Sequence, residues 1–277
     1  MGINHRRDCR NQRNGSCMDH EATTRSDRAQ RERTASNEGE VYRLYTRNRN
    51  RFAHVHDCPN TEYAQKRYDR LLADAARGKR VLDFGCGNGY FGRKVLALGA
   101  AHVHGIDISE RRIEEARSAS QGEARLTYEV ADAMTFSGDP FDVIVGNAIL
   151  HHLDWRVVLR HLYSDLLAPN GVMFFSEPMG SNLALRLYWA CFPKAHTEDE
   201  APLYRSDINW LRATFPGLEL YPTNYISLYV GLISSLVLKS ADNSLMVLSD
   251  RLDRRLEKFE FMKPAFRYGL FVIRKPR

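Results

Sequence analysis

Three glycines stand at alternate positions in VLDFGCGNGYFG, residues 81–92, directly after an apolar run that ends in Asp83 and Phe84. Glycine has no Cβ, so Gly85, Gly87 and Gly89 can adopt positive φ and let a ligand approach the main chain closely. A buried strand, a glycine turn and the start of a helix together indicate a nucleotide-like ligand. An ordinary tight turn, the alternative interpretation, accounts for one or two glycines but not for three.

A second acidic residue and a pair of histidines follow later strands. Asp107 lies twenty-two residues beyond Gly85 and ends a predicted strand, where a carboxylate can accept hydrogen bonds from both hydroxyls of a ribose. Its alternative role, N-cap of the helix that begins SERRIEEA, is better met by Ser109. His151 and His152 stand in ILHHLD, and one of them, with a preference for His151, is a candidate general base at neutral pH. Capping of the next helix, or packing under the ligand, stays open for both.

The elements that must position these residues alternate regularly along the chain. Strands are predicted at 80–84, 102–107, 126–131, 142–147, 171–177, 218–226 and 266–275, and helices at 89–98, 110–120, 154–167 and 206–215. Alternation of strand and helix is typical of a doubly wound parallel sheet in the α/β class.

The chain divides into three parts, and its 277 residues are ample for one large α/β domain. The predicted parts are a disordered Arg-rich tail at 1–39, an N-terminal helical cap at 40–77 and the main domain at 78–277. Tyr68 belongs to the helical spacing of the cap. Inserts near 180–200 and 227–262 are predicted to form a lid, with Tyr188, Trp189 and Tyr229 as contact residues.

Charge and cysteine content disfavour several classes of protein. The net charge is +6, but residues 1–52 hold twelve Arg and no Lys against seven acidic residues, so the remaining 225 residues carry only about +1 and show no footprint for nucleic acid. The five cysteines form no CxxC pair, which argues against a disulfide framework and a zinc site, and no metal is expected. The first twenty residues lack the apolar stretch of a secretory signal. The cysteine pattern fits a reducing compartment, so we expect a cytoplasmic location. Met18 is an alternative start.

Five motifs, in order, resemble those of the class I methyltransferases that use S-adenosylmethionine, in particular the bacterial enzymes that act on small molecules. They are VLDFGCGNG, GIDIS, VADA, FDVIVGNAILHHL and LLAPNGVMFFSEP, all between residues 79 and 178. The resemblance implies a seven-stranded, mostly parallel Rossmann-like sheet and S-adenosylmethionine as cofactor. This cofactor carries a sulfonium and an ammonium but no phosphate, so Asp83 beside the turn is favourable, whereas it would repel the pyrophosphate of NAD.

The resemblance also assigns residues to the cofactor. Asp132 and Ala133 match the positions that hold adenine, although a simple turn aspartate is the alternative for Asp132, and Asn147 matches the position that faces the methionine moiety through its backbone. The full set of predicted cofactor-binding residues is Asp83, Gly85, Cys86, Gly87, Gly89, Asp107, Ile108, Asp132, Ala133 and Asn147. The predicted catalytic residues are His151 and His152, while Glu177 either meets the substrate or, as we prefer, bonds backbone amides of the turn that follows it.

The predicted reaction is an in-line displacement in which an oxygen or nitrogen of a small, apolar, natural-product or lipid-like acceptor attacks the sulfonium methyl group. Positioning of the two reactants would contribute up to roughly 7 to 11 kcal/mol. NAIL after the fourth strand differs from the motif of DNA amino methyltransferases, and no Pro-Cys nucleophile occurs, which argues against nucleic acid. Three alternatives remain: a nucleic-acid methyltransferase guided by the basic tail, a noncatalytic cofactor-binding protein, and an enzyme that contacts a membrane surface through 225–238, a stretch too short to span a bilayer.

Overall fold

A computed structural model describes residues 52–183, 186–187 and 201–277. The predictions for the tail, for the cap before Phe52, and for Tyr188 and Trp189 lie outside the described residues.

Strands and helices alternate in the described part of the chain. The strands are β1 Arg80–Phe84, β2 His102–Asp107, β3 Leu126–Val130, β4 Phe141–Asn147, β5 Leu167–Pro178, β6 Leu218–Thr223 and β7 Tyr268–Arg274. The helices are α1 Ala53–His56, α2 Pro59–Ala76, α3 Tyr90–Ala97, α4 Glu110–Ala119, α5 Trp155–His161, α6 Arg205–Thr214, α7 Ile226–Val237 and α8 Ser244–Leu256. Short turns of 3₁₀ helix lie at Leu150–His152 and Lys263–Ala265.

The seven strands form one sheet in the order β3-β2-β1-β4-β5-β7-β6. Strands β1 to β5 are parallel, and β7 is antiparallel to both of its neighbours. The predicted mostly parallel, doubly wound sheet is therefore confirmed. The strand order reverses between β1 and β4, and ligands of such sheets bind outside the carboxyl ends of the strands at this switch point.

Both faces of the sheet are buried, which explains the near-continuous apolar runs in its central strands. Alternate residues of β1 and β4 point to opposite faces: Leu82 and Ile144 join one core cluster, and Val81 and Val145 join the other. Asp83 shares the face of Val81, so it is an acid placed within an apolar layer. The strand thus carries a charged group to the switch point.

The helix predicted at 154–167 is borne out in extent: α5 ends at His161, and a turn of π-helix, Leu162–Leu166, continues it. Two other predicted boundaries are wrong. β5 begins four residues early, at Leu167, with a shift in register against β4 between Phe141 and Val143. The strand predicted to reach 226 ends at Thr223 because Asn224 adopts a φ of 58°, a conformation that interrupts an extended strand.

Four helices pack together beside the sheet. α1 and α2 occupy the region predicted as the helical cap, and α7 and α8, within the predicted second insert, form an antiparallel hairpin. α2 reaches the sheet through Tyr68, whose ring stacks on Phe174 of β5 at 6.1 Å. The same helix contacts the end of α8 through a salt bridge between Arg67 and Glu257, the C-cap of α8. The cap is thereby tied to both the sheet and the hairpin.

Candidate active site

The turn after β1 holds its three glycines in the left-handed region, with φ values of 68°, 52° and 71° at Gly85, Gly87 and Gly89. At two of these positions, neighbouring side chains also leave no room for a Cβ. A Cβ on Gly85 would lie 2.6 Å from Cγ1 of Ile149, and one on Gly89 would lie 2.5 Å from Oη of Tyr128. A Cβ on Gly87 would meet nothing within 4 Å. Gly87 therefore borders the open space in which a ligand can approach the main chain.

Asp83 is a buried carboxylate beside this turn, with 2 % of its surface exposed. Its Oδ2 has no hydrogen-bond partner among the described residues and lies against Gly92 of α3. Burial raises the pKa of Asp83 to about 7; the Gly92 main-chain N–H opposes this shift and the charge of Asp107 adds to it. A cation near Oδ2 would stabilise the ionised form.

Asp107 joins the end of β2 to the glycine turn. Its Oδ2 accepts a hydrogen bond from the Gly87 N–H, and its Oδ1 accepts one from the Ser109 N–H, both at 2.9 Å. Burial raises the pKa of Asp107. Each carboxylate oxygen keeps a second lone pair, so hydroxyl groups can still donate to it. The predicted cap is confirmed, because Ser109 accepts from the Arg112 N–H at the start of α4.

Asp132 and Ala133 lie in the turn after β3. The Asp132 Oδ1 accepts a hydrogen bond from the Met134 N–H at 2.9 Å, and its carbonyl oxygen accepts from the N–H groups of Thr135 and Phe136. These bonds are those of the simple turn aspartate that the sequence left open. The adenine role of Asp132 and Ala133 stays a prediction.

Asn147, the last residue of β4, faces Tyr68 of α2. Its Oδ1 accepts a hydrogen bond from Tyr68 Oη at 3.3 Å, whereas its Nδ2 is buried with no partner among the described residues. Burial and the nearby Asp83 raise the pKa of Tyr68 well above its usual range. Tyr68 is thus a site residue that the sequence analysis placed only in the cap. Its helical spacing gave no sign of contact with a strand end 79 positions away.

Glu177 of β5 organises the turn that follows β4. It is fully buried, and its Oε1 accepts hydrogen bonds from the N–H groups of Ile149 and Leu150, both at 3.0 Å. Its Oε2 lies 2.6 Å from Nδ1 of His151. The preference for amides of the turn after Glu177 itself is wrong, because the carboxylate reaches across to the loop of the neighbouring strand.

The two histidines differ sharply in their surroundings. His151 is buried, with Nδ1 held by Glu177, and its ring centroid lies 4.1 Å from that of His152. Burial lowers the pKa of His152 to about 3, and His151 contributes to this shift. His152 is therefore neutral at neutral pH and a weak proton acceptor. The contact with Glu177 fixes the ring orientation of His151.

The structure thus brings Asp83, Gly87, Asp107 and Asn147 to one edge of the sheet. A glycine turn with two carboxylates at a switch point suits a nucleotide-like, positively charged ligand. A family model described as "Methyltransferase domain" matches residues 49–211, more than half of the chain. The chain belongs to this methyltransferase family. The predicted membership in the class I methyltransferases that use S-adenosylmethionine is confirmed.

Curated relatives match over the centre of the chain. The ubiquinone biosynthesis O-methyltransferase of Neisseria meningitidis serogroup C (strain 053442) is 36% identical over 105 residues, which are 36% of this chain and 44% of the relative. Aklanonic acid methyltransferase DauC of Streptomyces sp. (strain C5) is 34% identical over 116 residues, 39% of this chain and 52% of the relative. The chain spans about half the length of the curated relatives it matches.

Solved structures share the fold at lower identity. The N-methyltransferase NodS from Bradyrhizobium japonicum WM9, in complex with S-adenosyl-l-homocysteine, is 18% identical with a TM-score of 0.54, over 89% of this chain and 100% of that one. An S-adenosylmethionine-dependent methyltransferase from Mesorhizobium loti is 20% identical with a TM-score of 0.50, over 76% of this chain and 98% of that one. The Rossmann-like methyltransferase fold is therefore shown.

The residues of the site fit S-adenosylmethionine, the cofactor of this family. Oδ2 of Asp83 and Nδ2 of Asn147 are buried polar atoms without hydrogen-bond partners among the described residues, and such atoms are costly unless a ligand or water satisfies them. The carboxylate suits an ammonium, and the amide suits a carboxylate. Both groups belong to the methionine end of the cofactor.

Proposed function

We propose that the protein transfers a methyl group from S-adenosylmethionine to an oxygen or nitrogen of a small, largely apolar molecule of natural-product or lipid-like character. The observation that carries the proposal is the buried Asp83, whose Oδ2 has no partner among the described residues beside the open turn at Gly87. When bound, the cofactor would supply a methyl group activated by its sulfonium, and transfer to the acceptor would leave the bonding pair of the broken sulfur–methyl bond on sulfur.

The chain's own residues hold the cofactor in this proposal. Asp83 pairs with the ammonium, and Asp107 accepts hydrogen bonds from the ribose hydroxyls. The methionine moiety lies against the main chain of Gly85 to Gly89 and against Asn147. The remaining predicted positions, Cys86, Ile108, Asp132 and Ala133, complete the surroundings of the cofactor. Gly87 supports this arrangement because its N–H already orients Asp107 at 2.9 Å.

His151 is the proposed general base for an acceptor hydroxyl. The Glu177 carboxylate lies 2.6 Å from Nδ1, so it accepts a hydrogen bond from a protonated Nδ1 and leaves Nε2 as the atom that takes the proton. Glu177 also stabilises the imidazolium that forms, in the manner of the aspartate of a catalytic triad. Such a base is worth about a hundred- to ten-thousandfold in rate.

The class of acceptor rests on the relatives and on the charge of the chain. The two curated relatives described above are named for ubiquinone biosynthesis and aklanonic acid, which supports a small-molecule acceptor. Nucleic acid stays disfavoured because the basic residues concentrate in the tail. The division into tail, cap and main domain, the lid inserts and a cytoplasmic location remain parts of the proposal, the last resting on cysteine spacing.

The test separates binding from turnover. Calorimetry with S-adenosylhomocysteine measures the cofactor site, and mass spectrometry after incubation with S-adenosylmethionine and a panel of phenols and amines looks for a gain of about 14 Da, one methylene. Asp83→Asn removes a charge-assisted contact worth about 1.5 to 3 kcal/mol, so affinity should fall roughly ten- to a hundredfold. Glu114→Gln, at an exposed position of α4, is the control. Absence of binding would refute the proposal, whereas binding without turnover of any acceptor would favour the noncatalytic alternative.

A further inference from the structure

Asp83 and Asn147 point to the same face of the sheet. Asp83 of β1 pairs in register with Val145 of β4, and Asn147 lies two residues further along β4. Side chains two residues apart in a strand share a face. In each of the two side chains one buried atom, Oδ2 of Asp83 and Nδ2 of Asn147, has no hydrogen-bond partner among the described residues. One face of the sheet therefore offers a ligand both an acceptor and a donor.

Tyr68 of α2 brings its hydroxyl group to these two side chains. Its Oη donates a hydrogen bond to Oδ1 of Asn147 at 3.3 Å. Burial, and after it the charge of Asp83, raises the pKa of Tyr68 well above its usual range, so the hydroxyl group keeps its proton at neutral pH. The hydroxyl group is therefore a hydrogen-bond donor that lies within the field of Asp83.

Two aromatic rings hold Tyr68 in place. Its ring centroid lies 5.7 Å from that of Phe91 in α3 and 6.1 Å from that of Phe174 in β5. The residue is buried, with 7% of its surface exposed. Aromatic pairs at these separations favour particular ring arrangements. The packing of α2 on the sheet thus fixes where the hydroxyl group points.

The hydrogen bond from Tyr68 determines which way the Asn147 amide faces. The oxygen of an asparagine amide only accepts hydrogen bonds, and its nitrogen only donates them. Because Oδ1 is held by Tyr68, Nδ2 is the atom that remains for a ligand. A donor at Nδ2 and a carboxylate at Asp83 together complement the carboxylate and the ammonium of an α-amino acid.

We propose that Tyr68 positions the Asn147 amide so that Nδ2 donates to the carboxylate of the methionine moiety, which makes binding depend on the amino-acid end of the cofactor. The inference rests on the proposed use of S-adenosylmethionine. Tyr68 acts through Asn147, so it is a positioning residue. Without its hydroxyl group the planar amide can turn over and present Oδ1, an acceptor that cannot bond a carboxylate.

A purely structural role for Tyr68 would need only its ring. Phenylalanine would make the same contacts with Phe91 and Phe174 and would bury no hydroxyl group. Burial of a hydroxyl group costs free energy unless a good hydrogen bond offsets it. The bond to Asn147, at 3.3 Å, is longer than the usual distance of about 2.8 Å between hydroxyl donors and oxygen acceptors. The hydroxyl group is therefore better explained by the orientation that it gives to the amide.

Calorimetry with two probes tests the proposal. S-adenosylhomocysteine carries the amino-acid end, whereas methylthioadenosine keeps the adenine, the ribose and the sulfur but lacks that end. Tyr68→Phe keeps both ring contacts and should weaken S-adenosylhomocysteine about tenfold, with no change for methylthioadenosine. Tyr63→Phe, on the same helix, is the matched control. The ring of Tyr63 contacts Arg67 and Arg254, so this variant should bind both probes like the unaltered protein.

A double-mutant cycle tests whether Tyr68 acts through Asn147. Asn147→Ala should show the same selective loss, about tenfold or more for S-adenosylhomocysteine. Addition of Tyr68→Phe to this variant should then cause little further loss, because the amide that the hydroxyl group orients is already absent. Melting temperatures establish that each variant is folded, and Asn147→Ala carries the two-probe test if Tyr68→Phe is not.

Three results would overturn the inference alone. Unchanged affinity of Tyr68→Phe for S-adenosylhomocysteine would remove the hydroxyl group from the site. Equal losses for both probes would assign Tyr68 a structural role in the docking of α2. Additive losses in the double variant would show that Tyr68 does not act through Asn147. By contrast, an unaltered protein that binds no S-adenosylhomocysteine would refute the proposed function and this inference together.

Discussion

Asp83 couples the stability of the fold to pH. Its folded pKa of about 7 stands above the ordinary value of 3.8 because the carboxylate is buried. A group whose folded pKa is raised binds a proton more readily in the folded state, so its contribution to stability is complete below pH 3.8 and is lost as pH rises through 7. The carboxylate is therefore retained at a cost to the folded protein.

The first prediction compares the unaltered protein with Asp83→Asn. The free energy of unfolding of the unaltered protein, relative to the variant, should fall by a few kcal/mol, roughly 4 at most, between pH 4 and pH 8. Urea unfolding at a series of pH values measures the difference. A difference that does not change with pH would show that Asp83 titrates at its ordinary value.

The two histidines give the second prediction. His151→Gln should lower kcat about a hundredfold or more for a hydroxyl acceptor, because it removes the oriented base, while cofactor affinity stays constant. His152→Gln should cost less than about tenfold, since a pKa of about 3 already makes His152 a poor base. Steady-state kinetics of both variants measure these losses in kcat. A larger loss for His152→Gln than for His151→Gln would assign the role of general base to His152.

At the level of elements, different glycines of the turn after β1 matter for folding and for ligand binding. Gly85 and Gly89 are confined by Ile149 and Tyr128, whereas Gly87 borders open space. All three have positive φ, so any substitution carries backbone strain of about 1 kcal/mol or more. What distinguishes the positions is the neighbour that an added methyl group would meet.

The third prediction uses this contrast. Gly87→Ala should weaken S-adenosylhomocysteine binding at least about tenfold with a small drop in melting temperature, because its methyl group enters the space of the ligand. Gly89→Ala should lower the melting temperature further, since its Cβ would lie 2.5 Å from Tyr128 Oη. Calorimetry and thermal unfolding supply the two readouts. Unchanged affinity of Gly87→Ala would mean that the cofactor does not approach the turn there.

The sequence predicted the strands and the glycine turn well, because apolar runs and glycine spacing are local signals. Asp83, Asp107 and Asn147 were found because each follows or ends a recognisable strand. Tyr68 was missed as a site residue, since its contact with Asn147 depends on how α2 docks on the sheet. The contact of Glu177 with the loop after β4 was likewise missed, since it depends on the pairing of β5 with β4.

On the scale of the whole molecule, the site is assembled from parts that are distant in sequence. Asp83 and Asp107 come from neighbouring strands, Asn147 comes from the other side of the switch point, and Tyr68 comes from the cap. A ligand that contacts all of them would link the cap to the sheet. Its binding should therefore stabilise the protein as a unit.

The fourth prediction is a cofactor-dependent melting temperature. At a concentration a hundred times its Kd, S-adenosylhomocysteine contributes about 2.7 kcal/mol, which corresponds to a rise of roughly 5 to 10 °C for a domain of this size. Differential scanning fluorimetry measures the shift. Asp107→Ala at the same ligand concentration should show little of it, and an equal shift in that variant would remove Asp107 from the cofactor site.

The buried carboxylate of Asp83 also makes the proton a competitor of the cofactor. At a pH below 7 the protonated form predominates, and the ammonium can pair with Asp83 only after that proton leaves. Apparent affinity for S-adenosylmethionine should then fall by about tenfold for each pH unit below 7. Above pH 7 it should level off, whereas Asp83→Asn should bind weakly at every pH. A methyltransferase built in this way would lose its cofactor as its surroundings become acidic.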